Sequence, residues 1–285
     1  MKLAVLSDVH ANFVALASAY NYIEKTDTDG VIFLGDYVTD GPSPLKTMAV
    51  LKKFTSKYKC WFIKGNREDY LLDQRRGIGD RWKKGSGSGS LYYTYLNLSD
   101  EDFDFFAEMP VSLDIEIDGA PVITACHATP DSSNGWIMDD QELLEKYAAS
   151  TKGDLIICGH THRFDVQSAG GKDFIFCPNI GAKKRSPGSP NMLFLELING
   201  KWELDPVSVD FDLTELNSDF ESSGLIDYGK IYTKAVIASY ERGDDTALRL
   251  VTEAWRLARE DGYSGDINLP EEYWERAAEN IGLDI

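Results

Sequence analysis

Cysteine and histidine are both scarce in this chain. There are four cysteines among 285 residues, Cys60, Cys126, Cys158 and Cys177, and no two form a C-x-x-C pair. Each lies in or beside a short apolar run, which reads as a buried free thiol in a reducing compartment. Long apolar runs are missing as well. None reaches the ~20 uninterrupted apolar residues of a membrane helix. The start, MKLAVLSDVH, has a short apolar run, no basic flank and an interrupting aspartate, so it does not read as a signal peptide. These absences predict a cytoplasmic protein without membrane contact. Basic residues are outnumbered, 29 Lys and Arg against 47 Asp and Glu, a net charge of -18. That balance argues against a nucleic-acid polymer as partner, because a phosphate backbone attracts the opposite sign.

The charge is uneven. Residues 201–285 hold 20 acids and 8 bases, so -12 of the -18 lies there. Residues 64–85 run the other way, with seven bases (Lys64, Arg67, Arg75, Arg76, Arg81, Lys83, Lys84) against four acids. A locally basic segment in an acidic chain is a candidate anion-binding edge.

The length suits one large domain, or a domain with an appendage. Apolar runs at Leu3–Ser7, Val31–Leu34 and Cys60–Ile63 alternate with helical patterns at Asn12–Glu24, Pro44–Ser56 and from Arg67 onward. That alternation predicts a layered α/β sheet. The run GIGDRWKKGSGSGS (77–90) reads as a flexible loop. Ser99–Glu108 reads as a capped helix. Strands are then expected over 111–118, 121–127, Leu155–Cys158, Phe174–Cys177 and Met192–Ile198, mostly in hairpins, with a helix at Asp140–Ala149. From about residue 210 the pattern is helical. Leu248, Val251, Trp255 and Ala258 recur at helical spacing and read as core, and Pro270 before two glutamates marks a helix start. The division is therefore 1–209 and an acidic extension, 210–285.

The four histidines are not scattered. The first strand ends in S-D-V-H, giving Asp8 and His10. The second ends in G-D, giving Asp36, with Gly41-Pro42 beyond. The third ends in G-N-R-E, giving Asn66, Arg67 and Glu68. The run PVITACH ends in His127, and Leu155–Cys158 is followed by G-H-T-H, giving His160 and His162. Five strands each deliver a carboxylate, amide or imidazole at the carboxyl end, the edge where open α/β sheets bind ligands. Singly, each could be a cap, a turn residue or a hydrogen-bonded core histidine. Together they consume every histidine, and buried imidazoles and carboxylates are costly unless paired or metal-bound. Residues i and i+2 of an extended segment point to one side, so Asp8/His10 and His160/His162 can each grip from one direction. Mixed oxygen and nitrogen donors suit Mn, Fe, Zn or Co better than Mg or Ca. Seven donors are too many for one such ion and about right for two.

The ordered set D-x-H, GD-x(4)-GP, GN, a lone histidine after a strand, and GHTH resembles the calcineurin-like metallophosphoesterase superfamily. The likeness covers residues 1 to about 200. It implies a four-layer α/β/β/α sandwich, here with a C-terminal helical extension. It implies two metal ions, Mn or Fe favoured. Asp8, His10 and His162 would bind one, Asn66, His127 and His160 the other, and Asp36 would bridge them. The activity implied is a two-metal phosphohydrolase in which a metal-bound hydroxide attacks phosphorus in line with the leaving group. Asp36, Asn66, Arg67 and His127 are then the catalytic candidates. The organisation resembles bacterial phosphodiesterases, including asymmetric diadenosine tetraphosphate hydrolases. Small phosphodiesters or nucleotide phosphoanhydrides are the implied substrates.

Three positions depart from the family pattern. The family often has a histidine after the asparagine, aiding the leaving group, and this chain has Arg67. An arginine stays protonated and is no general acid, but it can hold a phosphate with two bonds. Good leaving groups are therefore expected to be preferred, and phosphoserine to be poor. His127 sits in CHATP, where the family commonly has glycine next. CPNIGA (177–182) only loosely matches the family's turn, with Asn179 and Gly181 as rim candidates. Around the site, Lys83 and Lys84 are expected to bind substrate phosphate, Trp82 to stack a base from a mobile lid, and Lys183, Lys184 and Arg185 to add positive charge. A protein serine/threonine phosphatase would want the histidine that Arg67 replaces. A non-catalytic scaffold on the same fold usually has eroded ligands, whereas all seven are present. The acidic tail leaves room for a homodimer contact.

Overall fold

A computed structural model of the chain describes residues 1–79, 81–181 and 189–285. The first sheet has the order β10-β9-β1-β2-β3. Its strands are β1 (Lys2–Leu6), β2 (Gly30–Phe33), β3 (Lys59–Phe62), β9 (Met192–Ile198) and β10 (Lys201–Val207). β1 to β3 run parallel, and their crossovers are α1 (Phe13–Ile23) and α2 (Pro44–Lys57). The second sheet has the order β4-β5-β6-β8-β7, from β4 (Ser112–Ile115), β5 (Ile123–Cys126), β6 (Leu155–Cys158), β7 (Asp165–Ala169) and β8 (Lys172–Phe176). β5, β6 and β8 are parallel, so the expected hairpins hold for β4–β5, β7–β8 and β9–β10 but not for the centre of the second sheet. The crossover helix α6 (Gln141–Ser150) explains the parallel β5–β6 pair, since parallel strands need a long connection.

Four layers result. Leu3, Val5, Ile32 and Ile63 of the first sheet side meet Ile123, Ala125, Ile157 and Ile175 of the second across a buried apolar interface. Burying such a side chain fully contributes about 1.5–3 kcal/mol. The outer face of the first sheet packs on α1 and α2 through Leu16, Ile23, Leu51 and Phe54. The outer face of the second packs on α6 through Leu144, Tyr147, Phe174 and Phe176. All central strands present their carboxyl ends to one edge.

Two expectations fail for identifiable reasons. The Gly/Ser-rich run is not one open loop, because α4 (Gly89–Asn97) begins inside it. Its glycines serve close approach: a Cβ on Gly89 would lie 1.9 Å from the Tyr228 carbonyl oxygen, and one on Gly87 would lie 2.3 Å from that of Ile267. The remaining elements are α3 (Asn66–Arg76), α5 (Asp100–Glu108), α7 (Leu213–Ser223), α8 (Leu225–Arg242), α9 (Thr246–Glu260) and α10 (Glu271–Ile281). The helical period read in α9 holds for Val251, Trp255 and Ala258, which pack in the extension's core, and fails at Leu248. Leu248 is exposed, and the buried stripe is Leu250, Ala254, Leu257 and Ala258 against Trp274 and Ala278 of α10. The extension also leans on the first domain. Ser43 Oγ and Lys46 Nζ both donate to Asp219 of α7 at 2.7 Å. No helix among the described residues is long and apolar enough to cross a membrane.

Candidate metal centre

The chain leaves β1, β2 and β6 through turns with left-handed backbone. Asp8, His10, Asp36, His160 and His162 all have φ between 50° and 64°. Non-glycine residues there are strained by about 1–3 kcal/mol each, and such strain gathers at functional sites. This corrects the extended-segment argument: the pairs are aimed by turns beyond the strands, not by strand pleat. The turns can nest because their glycines lack a Cβ. One added at Gly65 would lie 2.2 Å from Asp36 Oδ1, and one at Gly159 would lie 2.2 Å from Ser7 Oγ.

The side chains converge. His162 Nε2 lies 3.1 Å from Asp8 Oδ1 and 3.2 Å from His10 Nε2. His160 Nδ1 lies 3.2 Å from His127 Nε2, which lies 3.1 Å from Asn66 Oδ1. The two histidines of GHTH thus face different partners. Asp36 sits between the groups, with Oδ2 4.0 Å from His10 Nε2 and Oδ1 3.5 Å from His127 Nε2. Donor atoms of Asp8, His10 and His162 lie within 4.8 Å of one another, as do those of Asp8, Asp36 and His127. Asp8, Asp36, Asn66 and His127 are buried, and His162 opens to solvent.

These donors fit a cation. Imidazole nitrogens that face each other and two carboxylates leave lone pairs that a cation satisfies. His127 Nδ1 lies 2.6 Å from the Leu34 carbonyl oxygen. A proton there leaves Nε2 free to ligate. Burial would lower the pKa of His127, but the Asp36 charge outweighs it and pushes it up to about 10. Burial likewise opposes ionisation of Asp36, yet His127 and His10 hold it down at about 2. Burial and the charge of His127 lower His160 to about 4.

A shell of hydrogen bonds fixes the turns. The buried Glu68 carboxylate accepts from the N–H groups of Asp36, Tyr37 and Gly65, each at 2.9 Å. It ties the G-D turn to the G-N turn. Asp8 Oδ2 accepts from the His160 N–H at 3.1 Å. The N–H of Gly181 donates to the Asp8 carbonyl at 3.0 Å, so the loosely matching CPNIGA turn does reach this cluster, up to Gly181.

Arg67 stands beside the donors. Its backbone N–H donates to Asp36 Oδ1 at 3.0 Å, and its Nη2 lies 3.3 Å from Asp40 Oδ2. Asp40 is the last of the four residues between G-D and G-P, to which the motif assigns no role. It is buried, has φ 71°, and lies 3.4 Å from His10 Nδ1. Burial raises its pKa, but Arg67 and His10 hold it well below the usual carboxylate range. Ser90 of α4 donates to it at 3.2 Å, and the Tyr232 hydroxyl of α8 faces it. An aspartate buried by a helical extension has no local signal in the sequence.

The substrate-side residues divide. Lys84 Nζ lies 4.1 Å over the Tyr228 ring of the extension, and the Lys83 N–H donates to Ser88 Oγ. Neither has a hydrogen bond or ion pair to the cluster among the described residues. Trp82 is not a free stacking ring: it packs, partly buried, edge-on to Tyr95 at 6.1 Å. Lys183, Lys184 and Arg185 lie outside the described residues.

Comparison with known proteins agrees with this fold. An uncharacterised protein of Methanocaldococcus jannaschii is 28% identical over 162 residues, 56% of this chain and 62% of that one. The matched part is thus less than two thirds of that relative's length. A hypothetical protein of Pyrococcus horikoshii superposes with a TM-score of 0.69 at 17% identity, over 85% of this chain and 99% of that one. A metallophosphoesterase from Sphaerobacter thermophilus does so with a TM-score of 0.59 at 18% identity, over 79% and 95%. These likenesses concern the fold. The description of calcineurin-like phosphoesterases matches residues 1–164, more than half of the chain, and so the protein belongs to the calcineurin-like phosphoesterase family.

Proposed function

We propose that the protein is a metal-dependent phosphoesterase that hydrolyses small phosphodiesters or nucleotide phosphoanhydrides with two bound ions. The observation that carries this is the convergence of Asp8, His10, Asp36, Asn66, His127, His160 and His162 on one edge, with Arg67 beside them. In this reading Asp8, His10 and His162 hold one ion, Asn66, His127 and His160 the other, and Asp36 lies between. When bound, such ions supply Lewis-acid polarisation of a phosphoryl group and a lowered pKa for water.

The chain's own residues do the rest. Glu68 fixes the spacing of the two turns that carry Asp36 and Asn66. Arg67 presents a permanent positive charge to a phosphoryl oxygen, and its buried Nε has no hydrogen-bond partner. Held by Asp40, that guanidinium cannot give up a proton to a leaving group. Substrates whose leaving groups need no protonation are therefore favoured. Aryl esters and phosphoanhydrides meet that condition, and serine phosphate does not.

The test is hydrolysis of bis(p-nitrophenyl) phosphate beside p-nitrophenyl phosphate, on metal-stripped protein with and without Mn²⁺. Mn²⁺-dependent release with the diester favoured is expected. Absence of release from either, with two equivalents of metal bound, would refute the phosphoesterase reading for these substrates. Efficient hydrolysis of serine phosphate would refute the role given to Arg67.

A further inference from the structure

Trp136 is an exposed tryptophan at the edge of the metal cluster. Its relative exposure is 51%, and the other five tryptophans are buried or partly buried. Its ring lies 6.3 Å from that of His160 at 63°. An indole left in water forgoes about 25 cal/mol for each Å² of apolar surface that could be buried. Its chain neighbours show why it does not turn inward. Ile137 and Met138 are buried against α6 and the second sheet.

The loop that carries it is pinned at many points. Thr129 and Ser132 form an antiparallel bridge. Tyr147 of α6 donates to Asp131 at 2.6 Å. Ser133 Oγ donates to Asp69, and Asn134 Nδ2 donates to the Tyr70 hydroxyl at 3.3 Å. Asp69 and Tyr70 belong to the first turns of α3, just after Arg67, whose guanidinium lies 6.0 Å from the Tyr70 ring. The loop that carries Trp136 is thus tied to α3 just beyond Arg67, while Trp136 itself lies beside His160. A rigid aromatic held in water costs little further ordering when a ligand arrives.

We propose that Trp136 is the stacking platform for an aromatic base of the substrate, so that nucleoside phosphoesters are the preferred substrate class. This rests on the phosphoesterase reading. The phosphoryl end of such a substrate is satisfied by bound cations and Arg67. Its uncharged planar end needs a π face, and Trp136 offers one beside His160. One indole beside the buried Ile137 and Met138 matches one base and is too small for a lipid or a protein face.

The test compares two diesters with the same leaving group: the p-nitrophenyl ester of thymidine monophosphate and methyl p-nitrophenyl phosphate. The Mn²⁺-loaded full chain is expected to favour the nucleoside ester in kcat/KM. Trp136→Ala should lower kcat/KM for that ester by about 5- to 150-fold, the range that base–aromatic stacking spans. The methyl ester should change less than about twofold, the ordinary scatter of a substitution that touches nothing essential. Trp136→Phe should keep most of the preference. An equal fall on both diesters, or on neither, overturns the platform. A separate readout needs no turnover: calorimetric binding of adenosine monophosphate and of ribose phosphate to the loaded protein. Tighter binding of the nucleotide that Trp136→Ala abolishes supports the platform, and equal binding overturns it. Failure of the wild-type chain on both diesters would count against the activity, and the calorimetry would still decide the platform.

Discussion

Replacing Asp40 separates two jobs that one carboxylate does. Its Oδ2 lies 3.3 Å from Arg67 Nη2 and 3.4 Å from His10 Nδ1. At 3.3 Å and an effective dielectric of about 20, the gross attraction to the guanidinium is about 5 kcal/mol. Burying the carboxylate removes much of that gain. A net of about 1.4–2.7 kcal/mol is about 10- to 100-fold in rate, the usual effect of a residue that orients a metal-site group. Asp40→Asn keeps an oxygen beside His10 Nδ1 but loses the charge on Arg67. It should lower kcat/KM for bis(p-nitrophenyl) phosphate by about 10- to 100-fold with bound metal unchanged. Asp40→Ala removes both partners, so His10 loses its orientation and metal affinity should fall too. The assay is steady-state kinetics at saturating Mn²⁺, with metal counted by plasma mass spectrometry. Unchanged kcat/KM in Asp40→Asn, or metal loss equal to that of Asp40→Ala, would refute the assignment.

Three further predictions follow from the same geometry. Mn²⁺ should raise the melting temperature of stripped protein, because a ligand at ~100 times its Kd adds about 2.7 kcal/mol; an unmoved transition in calorimetry would count against a cation in this cluster. Cys126, Cys158 and Cys177 are buried, and burial pushes the half-buried Cys60 thiol up to about 12, so native protein should react slowly with Ellman's reagent at pH 8 and release four equivalents only in denaturant. Gly89→Ala should destabilise by about 1–3 kcal/mol, since its Cβ would meet the Tyr228 carbonyl oxygen at 1.9 Å; a neutral result in urea unfolding by circular dichroism would show that α4 and α8 are not tightly apposed.

The legible part of this chain is what local pattern encodes. Short β-rich runs placed β1, β2, β3, β6 and β9 within a residue or two of their observed ends. Ser99 and Asp140 announced α5 and α6 because their side chains accept from Asp102 N–H and Leu143 N–H. The seven donor residues stood out because each follows a strand, and the edge they share is a property of the sheet. What escaped has a common cause. α4 escaped because glycine and serine, poor helix formers, occupy its start for the sake of contact with a helix about 140 residues later. β7 and β10 escaped because their mixed polar sequences, DVQSA and KWELDPV, lie at sheet edges.

Asp40, Trp82 and Trp136 carry the same lesson into the site. Composition cannot tell a tryptophan that packs edge-on against Tyr95 from one that stands in water beside His160. Nor can a motif show that its unassigned fourth residue is held by the far end of the chain. Asp40 receives Ser90 from α4 and faces Tyr232 from α8, and α7 reaches the same loop through Asp219 and Ser43. The extension therefore touches the loop between Asp36 and Ser43 at two points. Arg67 in turn takes its position from Asp40. A change in α8 can thus alter chemistry at the metal edge without touching a ligand. Tyr232→Phe makes that concrete: it removes one hydroxyl facing Asp40 and nothing from the cluster of seven. If the extension only stabilises the fold, its kinetics will match those of the wild type while its melting temperature falls. If it positions Arg67, kcat/KM will fall in the direction of Asp40→Asn with metal content unchanged.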